Sequence, residues 1–166
     1  MAKDSVLTKT LIKQAIRSEM DGYRFYAFLA EKTANEDVKR KLTNLAKDEV
    51  RHEALLLGIY KKLFREDVGE MPKKGLGVLS QFFDHPEHRK NMTEVQYIDL
   101  AIEAELAATR YYKEAAADAP DEDMKRVCRE MAAEEFNHYE LLQAEKEALG
   151  GKYYWFAYDD GSPLED

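Results

Sequence analysis

Cysteine, glycine and proline are scarce in this sequence of 166 residues. The one cysteine, Cys128, excludes an internal disulfide framework and any four-cysteine metal site within the chain. The 8 glycines and 4 prolines make up about 7% of the residues, against roughly 12% in average proteins. Few turn formers beside abundant Ala, Leu, Glu and Lys predict long helices with few connections, and they argue against an all-β sandwich.

Basic residues are outnumbered, with 25 Lys and Arg against 33 Asp and Glu and a formal net charge of −8. This balance argues against a nucleic-acid-binding protein, because such domains usually carry a basic face. No apolar run approaches the roughly 20 residues that span a membrane. The N-terminal segment MAKDSVLTKT lacks the apolar core of a signal peptide. We therefore expect one helical domain in the cytoplasm that binds neither nucleic acid nor membrane.

Four segments have apolar residues at the spacings of three and four that one face of an α-helix requires. They predict helices over about residues 7–33, 36–64, 94–117 and 121–149. The short links after the first and third helices predict two antiparallel hairpins. The long segment between the hairpins, 66–92, suits a crossover along a four-helix bundle, and its apolar stretch 78–83 predicts a short helix.

Residues that favour helix ends agree with these limits. Thr33 with Glu36, and Thr93 with Gln96, have the spacing of capping boxes at the second and third helix starts. The bundle is predicted to occupy residues 1–150, followed by an aromatic and acidic tail over 151–166. The tail either covers one end of the bundle or forms a dimer contact, since exposed aromatic residues favour association. We expect a homodimer.

The two hairpins are related by an internal repeat with an offset of 86 residues. The motif Ala-Ile-x-x-Glu ends at Glu19 and again at Glu105. The motif Glu-x-x-His begins at Glu49 and again at Glu135. Each hairpin therefore combines a single glutamate on its first helix with a Glu-His pair on its second.

These glutamates lie within the apolar faces of the four predicted helices. A buried glutamate is unfavourable unless it is paired or binds a metal, and four together would resist ionising. Two divalent cations would balance four carboxylates, and neutral imidazoles would complete the coordination. Di-iron carboxylate bundles use one Glu from each of two helices and Glu-x-x-His from each of the other two. The predicted metal ligands are Glu19, Glu49, His52, Glu105, Glu135 and His138.

The segments that carry these residues resemble the rubrerythrin branch of the ferritin-like superfamily. They are AIRSEMDGYRFY (15–26), LAKDEVRHEALL (45–56), AIEAELAATRYY (101–112) and MAAEEFNHYELL (131–142). The resemblance covers about residues 5–149 and implies an all-α, ferritin-like four-helix bundle with a long crossover and a non-haem di-iron site. It also implies that Glu49 and Glu135 bridge the metals, that Glu19 and His52 bind one of them, and that Glu105 and His138 bind the other.

The same resemblance implies a peroxidase of oxidative-stress defence, which reduces hydrogen peroxide or dioxygen with two iron ions. Manganese and zinc accept the same ligands. A ferroxidase that stores iron, as in the wider ferritin family, is the alternative. A structural bundle without metal would leave the four core carboxylates unexplained.

Two departures from the rubrerythrin pattern narrow this expectation. Full-length rubrerythrins carry a rubredoxin-like iron domain held by four cysteines, so this chain would need an external electron donor such as a rubredoxin-like protein. Typical members also have a further carboxylate three residues before the single glutamate of the third long helix, where this chain has Ile102. That difference puts the family's redox-linked ligand exchange, and full peroxidase efficiency, in question.

Three tyrosines follow the single glutamates at helical spacing. Tyr23 and Tyr26 come four and seven residues after Glu19, and Tyr112 comes seven after Glu105. They are either aromatic residues of the core or neighbours whose hydroxyls hold the ligand carboxylates or donate one electron.

Overall fold

The computed structural model describes residues 3–149, and four long helices account for most of them. They are α1 (Lys9–Lys32), α2 (Glu36–Phe64), α4 (Glu94–Asp118) and α5 (Glu122–Ala148). Between α2 and α4 lie α3 (Leu79–Asp84) and a 3-10 helix (Pro86–Arg89). The predicted all-α bundle is confirmed, with helix limits within about two residues of those expected. The predicted tail over 151–166 lies outside the described residues.

One of the two predicted capping boxes is present. Thr93 and Gln96 form it at the start of α4, each side chain accepting from the other residue's backbone N–H. The prediction for Thr33 is wrong, because Asn35 caps α2 and accepts from two backbone N–H groups. Thr33 instead ends α1, where its N–H donates to the carbonyl of Leu29 at 3.0 Å. The link between α1 and α2 is so short that Thr33 is the C-cap of α1, whose last helical residue is Lys32.

The bundle consists of two helical hairpins, α1–α2 and α4–α5, packed against each other. Side-chain hydrogen bonds show which helices face one another across the two hairpins. Tyr26 on α1 donates to Glu105 on α4, and Lys41 on α2 donates to Glu145 on α5. Helix α1 therefore faces α4 and α2 faces α5, which brings the inner faces of all four helices to one centre.

The crossover leaves α2 through two residues with positive φ, Arg65 at 58° and Gly69 at 62°. It then passes along α1 and forms α3, which confirms the predicted short helix. The ring of Phe82 on α3 packs edge-on against Phe25 of α1 with 5.0 Å between centroids. This aromatic contact fixes the crossover against the α1 side of the bundle.

The apolar core is divided into two clusters, one towards each end of the bundle. One contains Phe25, Leu29, Leu42, Leu45, Ile98 and Leu142, and the other contains Ile12, Ile16, Leu56, Tyr112 and Met131. The predicted ligands lie along each helix between these clusters, so apolar layers close the polar centre from both ends. Within residues 3–149, no helix is both long and apolar enough to cross a membrane.

Candidate metal centre

The six predicted ligands come together in the middle of the bundle. They form two groups, and within each group the potential ligand atoms lie within 4.8 Å of one another. One group is Glu19, Glu49, His52 and Glu135, and the other is Glu49, Glu105, Glu135 and His138. Both groups contain Glu49 and Glu135, which is the geometry expected of two carboxylates shared by neighbouring metal positions. All six residues are buried.

Glu135 lies between the two imidazole rings. Its Oε1 is 3.0 Å from Nδ1 of His52, and its Oε2 is 3.0 Å from Nδ1 of His138. The rings stack with 6.0 Å between centroids. Each histidine therefore directs Nδ1 into the centre, where it can bind a metal, and directs Nε2 away from it.

Two further carboxylates hold the outward nitrogens of these rings. His52 Nε2 is 2.8 Å from Oε2 of Glu134, and His138 Nε2 is 3.0 Å from Oδ2 of Asp48. Each of these contacts joins α2 to α5. A carboxylate on the outer nitrogen fixes the tautomer and orientation of a ligating imidazole and raises its basicity.

Sequence reasoning missed Asp48 and Glu134, although a signal for them was present. Each directly precedes a predicted bridging glutamate, and the two are related by the same 86-residue offset. Arg51 contacts both, reaching Asp48 at 3.4 Å and donating to Glu134. Partial burial raises the pKa of Glu134, but Arg51 and His52 outweigh it and lower that pKa. Glu134 is thereby kept ionised as an acceptor for His52.

Two of the three predicted tyrosines donate hydrogen bonds to carboxylates of the candidate ligands. Tyr26 on α1 donates to Oε1 of Glu105 on α4, and Tyr112 on α4 donates to Oε1 of Glu19 on α1. Tyr23 does not join them, because its side chain is 45% exposed. Four residues of helix turn Tyr23 by about 40° to one side of Glu19 and seven turn Tyr26 by about 20° to the other, and it is Tyr26 that faces α4. The prediction for Tyr23 is therefore wrong.

Crowded carboxylates change the protonation of the metal-free centre. Burial and the neighbouring carboxylates raise the pKa of Glu49, and that of Glu105 to about 8. Burial lowers the pKa of the two histidines, but adjacent carboxylates outweigh it and raise the pKa of His52 to about 11 and of His138 to about 10. Protons thus occupy the centre when cations do not, and a metal that binds there must displace them.

The geometry fits a pair of metal ions. Buried polar atoms normally have hydrogen-bond partners. In the described part of the chain, Oε2 of Glu19 and Oε1 of Glu49 are buried without one. Gly22 leaves room for Glu49, because a Cβ at this position would lie 2.2 Å from Glu49 Oε2. Divalent transition metals accept carboxylate oxygens and neutral imidazole nitrogens as ligands. The unpartnered carboxylate oxygens lie beside two histidines, so the residues present can supply both kinds of ligand.

The position that would carry the additional carboxylate is occupied by an apolar residue, and its surroundings in the structure are apolar too. Ile102 is buried and belongs to the core cluster around Phe25. The adjacent Glu103 is exposed and lies outside both ligand groups. The centre therefore consists of six candidate ligands, supported from outside by Asp48 and Glu134.

Comparison with solved structures places this fold among known helical bundles. A hypothetical protein from Pyrococcus furiosus is 32% identical, with a TM-score of 0.70 over 84% of this chain and 87% of that protein. An uncharacterised conserved protein from Magnetospirillum magnetotacticum is 20% identical, with a TM-score of 0.63 over 88% of this chain and 97% of that protein. CopM in its Cu(I)-bound form is 12% identical, with a TM-score of 0.68 over 86% of this chain and 97% of CopM.

No curated protein shows significant similarity to this chain. The family model for rubrerythrin matches residues 10–146, which include nearly all of the four long helices and all six candidate ligands. The bundle, the repeated ligand motifs and this match agree that the chain belongs to the rubrerythrin family.

Proposed function

We propose that this protein is a di-iron oxidoreductase that reduces hydrogen peroxide, or dioxygen, with electrons from an external donor. The observation that carries the proposal is the pair of buried ligand groups that share Glu49 and Glu135. A bound pair of ferrous ions would supply two electrons at one place, which is what reduction of peroxide to two waters consumes together with two protons.

The chain's own residues would hold and insulate such a pair. Glu49 and Glu135 keep two metal positions together, while Glu19 with His52 and Glu105 with His138 complete the two sides. Asp48 and Glu134 orient the imidazoles. The apolar clusters above and below exclude bulk water, which limits side reactions of a reduced metal pair.

The electrons must come from outside the bundle. With Cys128 as its one cysteine, the chain has no four-cysteine iron site of its own. A small iron protein of the rubredoxin type is the donor we propose. A homodimer is also expected, and the molar mass in solution would test it.

Iron storage is the second function to be distinguished, because a ferroxidase site in the wider ferritin family has similar ligands. Binding of Cu(I), which the name of the CopM structure states for that protein, is less suited to this centre. Cu(I) prefers thiolate and thioether ligands. Both ligand groups here consist of carboxylates and imidazoles.

Metal content after aerobic purification tests the site. We expect about two iron ions per chain, as in other di-iron carboxylate bundles. Hundreds of ions per particle would favour storage, and no bound metal would contradict both proposals. Glu49→Ala and Glu135→Ala should each lose the metal pair, whereas Glu130→Ala, an exposed residue of α5, should retain it. Retention of both metals in the first two variants would contradict the bridging assignment.

Re-oxidation kinetics test the reaction. The iron-loaded protein is reduced without oxygen and mixed in separate experiments with hydrogen peroxide and with dioxygen, and the visible absorption of the ferric pair is followed. We expect faster re-oxidation by peroxide. Equal or slower re-oxidation by peroxide would contradict the peroxidase assignment and favour a ferroxidase.

A further inference from the structure

A small cavity lies between α1 and α4, directly beside the ligand carboxylates. Its volume is about 30 Å³, and on this measure one water-sized molecule needs roughly 10–15 Å³. Its wall includes all four candidate glutamate ligands but neither histidine. The cavity therefore lies on the side of the metal centre that faces away from the imidazoles.

The internal repeat is not kept in the walls of this cavity. Its α1 wall includes Ser18, Asp21 and Gly22, and the positions 86 residues later on α4 are Ala104, Ala107 and Ala108. Small side chains on both helices leave the space open. The α1 side keeps polar groups where the α4 side has only methyl groups.

Residues 75–80 of the crossover, called the strap here, cover the cavity; Leu76, Gly77, Leu79 and Ser80 line it. The strap is hydrogen-bonded to α1. Leu76 N–H donates to Ser18 Oγ at 2.6 Å, and Ser80 Oγ donates to Asp21 at 2.9 Å. Ser80 Oγ also accepts from Gly75 N–H at 2.9 Å. The polar residues of α1 that break the repeat thus fasten the strap.

The strap meets α4 without such bonds. A Cβ built at Gly77 would lie 3.9 Å from Cα of Ala104, an ordinary apolar contact. On the α1 side the packing is closer, since a Cβ at Gly75 would lie 2.4 Å from Ser18 Oγ. In the described part of the chain, the strap is therefore fixed along one edge and only packed along the other.

We propose that this cavity is where the oxidant reaches the metal pair, and that the strap restricts oxidants to hydrogen peroxide and dioxygen by excluding organic hydroperoxides. The inference rests on the function proposed above. Reduction of either kind of peroxide breaks one O–O bond and consumes two electrons from the reduced protein and two protons. The products are two waters, or one water and an alcohol. Dioxygen takes up the same two electrons and two protons and leaves as hydrogen peroxide, with its O–O bond unbroken. The four-carbon group of tert-butyl hydroperoxide is too large for a cavity of about 30 Å³.

Filling the cavity tests its role without measuring turnover. Ala108→Leu extends an α4 side chain into the cavity, and Ala117→Leu makes the same change at an exposed position of α4. The probe is azide, added to the iron-loaded protein and followed by visible absorption. We expect Ala108→Leu to retain two irons per chain and to bind azide at least about tenfold more weakly, whereas Ala117→Leu stays within about twofold of the original protein.

Releasing the strap tests its role in selection. We expect hydrogen peroxide to re-oxidise the ferrous protein at least about a hundredfold faster than tert-butyl hydroperoxide, because even small size differences give 10- to 200-fold discrimination in closed pockets. Ser80→Ala removes both strap hydrogen bonds of that hydroxyl, and it should lower the ratio by raising the rate with the larger oxidant. Ser5→Ala, which removes an exposed hydroxyl far along the chain, should leave the ratio unchanged.

The outcomes separate this inference from the proposed function. Unchanged azide affinity in Ala108→Leu, or equal rates with both oxidants in the original protein, would overturn the role of the cavity and strap while leaving a di-iron reductase intact. If Ala108→Leu fails to load iron, Gly77→Ala places a smaller group into the same space from the strap, and the same loss of azide affinity is expected. Absence of a metal pair in the original protein would overturn the function itself.

Discussion

The hydroxyl of Tyr112 on α4 donates a hydrogen bond to the carboxylate of Glu19 on α1. The repeat supplies the reverse contact, in which Tyr26 on α1 donates to Glu105 on α4. Each hairpin therefore holds the single glutamate of the other. This exchange couples the two halves of the metal centre to the packing between the hairpins, so the position of a ligand depends on both.

Tyr112→Phe tests this coupling. The variant keeps the buried ring and removes the hydroxyl, so Glu19 loses its donor and gains freedom to move. We expect the metal on the Glu19–His52 side to bind roughly 10- to 100-fold more weakly, the usual cost of losing a partner outside the ligand shell. Competition with a chelator measures this affinity. Tyr60→Phe is the control, because the Tyr60 hydroxyl bonds Glu66 rather than a ligand.

Asp48→Asn and Glu134→Gln should weaken opposite halves of the centre. Asp48 holds His138 and Glu134 holds His52, so each variant removes a carboxylate from one imidazole only. We expect a roughly 10- to 100-fold loss of affinity for one metal in each. Titration calorimetry should resolve one weakened and one retained site. Glu130→Gln, an exposed α5 residue paired with Arg126, should bind both metals normally, and equal weakening of both sites would contradict the assignment.

The sequence was sufficient to predict the helices and the clustering of the six candidate ligands, because both follow local periodicity. Glu49 and His52 are three residues apart on one helical face, and the repeat at Glu135 and His138 confirms the register. The tyrosine contacts were predictable only in part. Tyr23 and Tyr26 follow Glu19 at similar helical angles, and which of them is buried depends on the packing of the opposite hairpin.

The strap and the outer carboxylates could not be predicted with comparable precision. Asp48 and Glu134 reach across from the other hairpin, so their partners depend on how α2 and α5 face each other. The crossover lacks a period, and its placement depends on single contacts such as Ser80 with Asp21. Periodicity describes one helix at a time, whereas these contacts depend on distances between elements that are far apart in sequence.

Gly22→Ala and Gly58→Ala should have opposite effects although both place alanine inside a helix. At position 22 the added Cβ would lie 2.2 Å from Glu49 Oε2, so Glu49 must move and metal affinity should fall by at least about tenfold. At position 58 nothing lies within 4 Å of the added Cβ. There alanine should raise the free energy of unfolding by roughly 0.5–1 kcal/mol without affecting metal binding. Metal titration and thermal unfolding of both variants check the pair.

The stability of the metal-free protein should fall as the pH rises above about 5. The pKa of Glu105 is raised from 4.5 to about 8, so the stability linked to its protonated form is present at low pH and lost between those values. The pKa values of His52 and His138 are raised from 6.5 to about 11 and about 10, so their contribution is present below 6.5 and lost towards those values. All three groups bind more protons in the folded protein than in the unfolded one. Each of them therefore makes the free energy of unfolding fall as the pH rises.

Metal binding should show the opposite dependence on pH, because cations displace those protons and bind more tightly as the pH rises. We expect the midpoint of thermal unfolding in EDTA to be lower at pH 8.5 than at pH 6, and proton release when iron or zinc is added in weak buffer. Glu105→Gln should reduce the slope between pH 4.5 and 8, since it removes one of the titrating groups. If the thermal unfolding midpoint of the metal-free protein rises between pH 4.5 and 8, protonation of these groups is not what stabilises the metal-free centre.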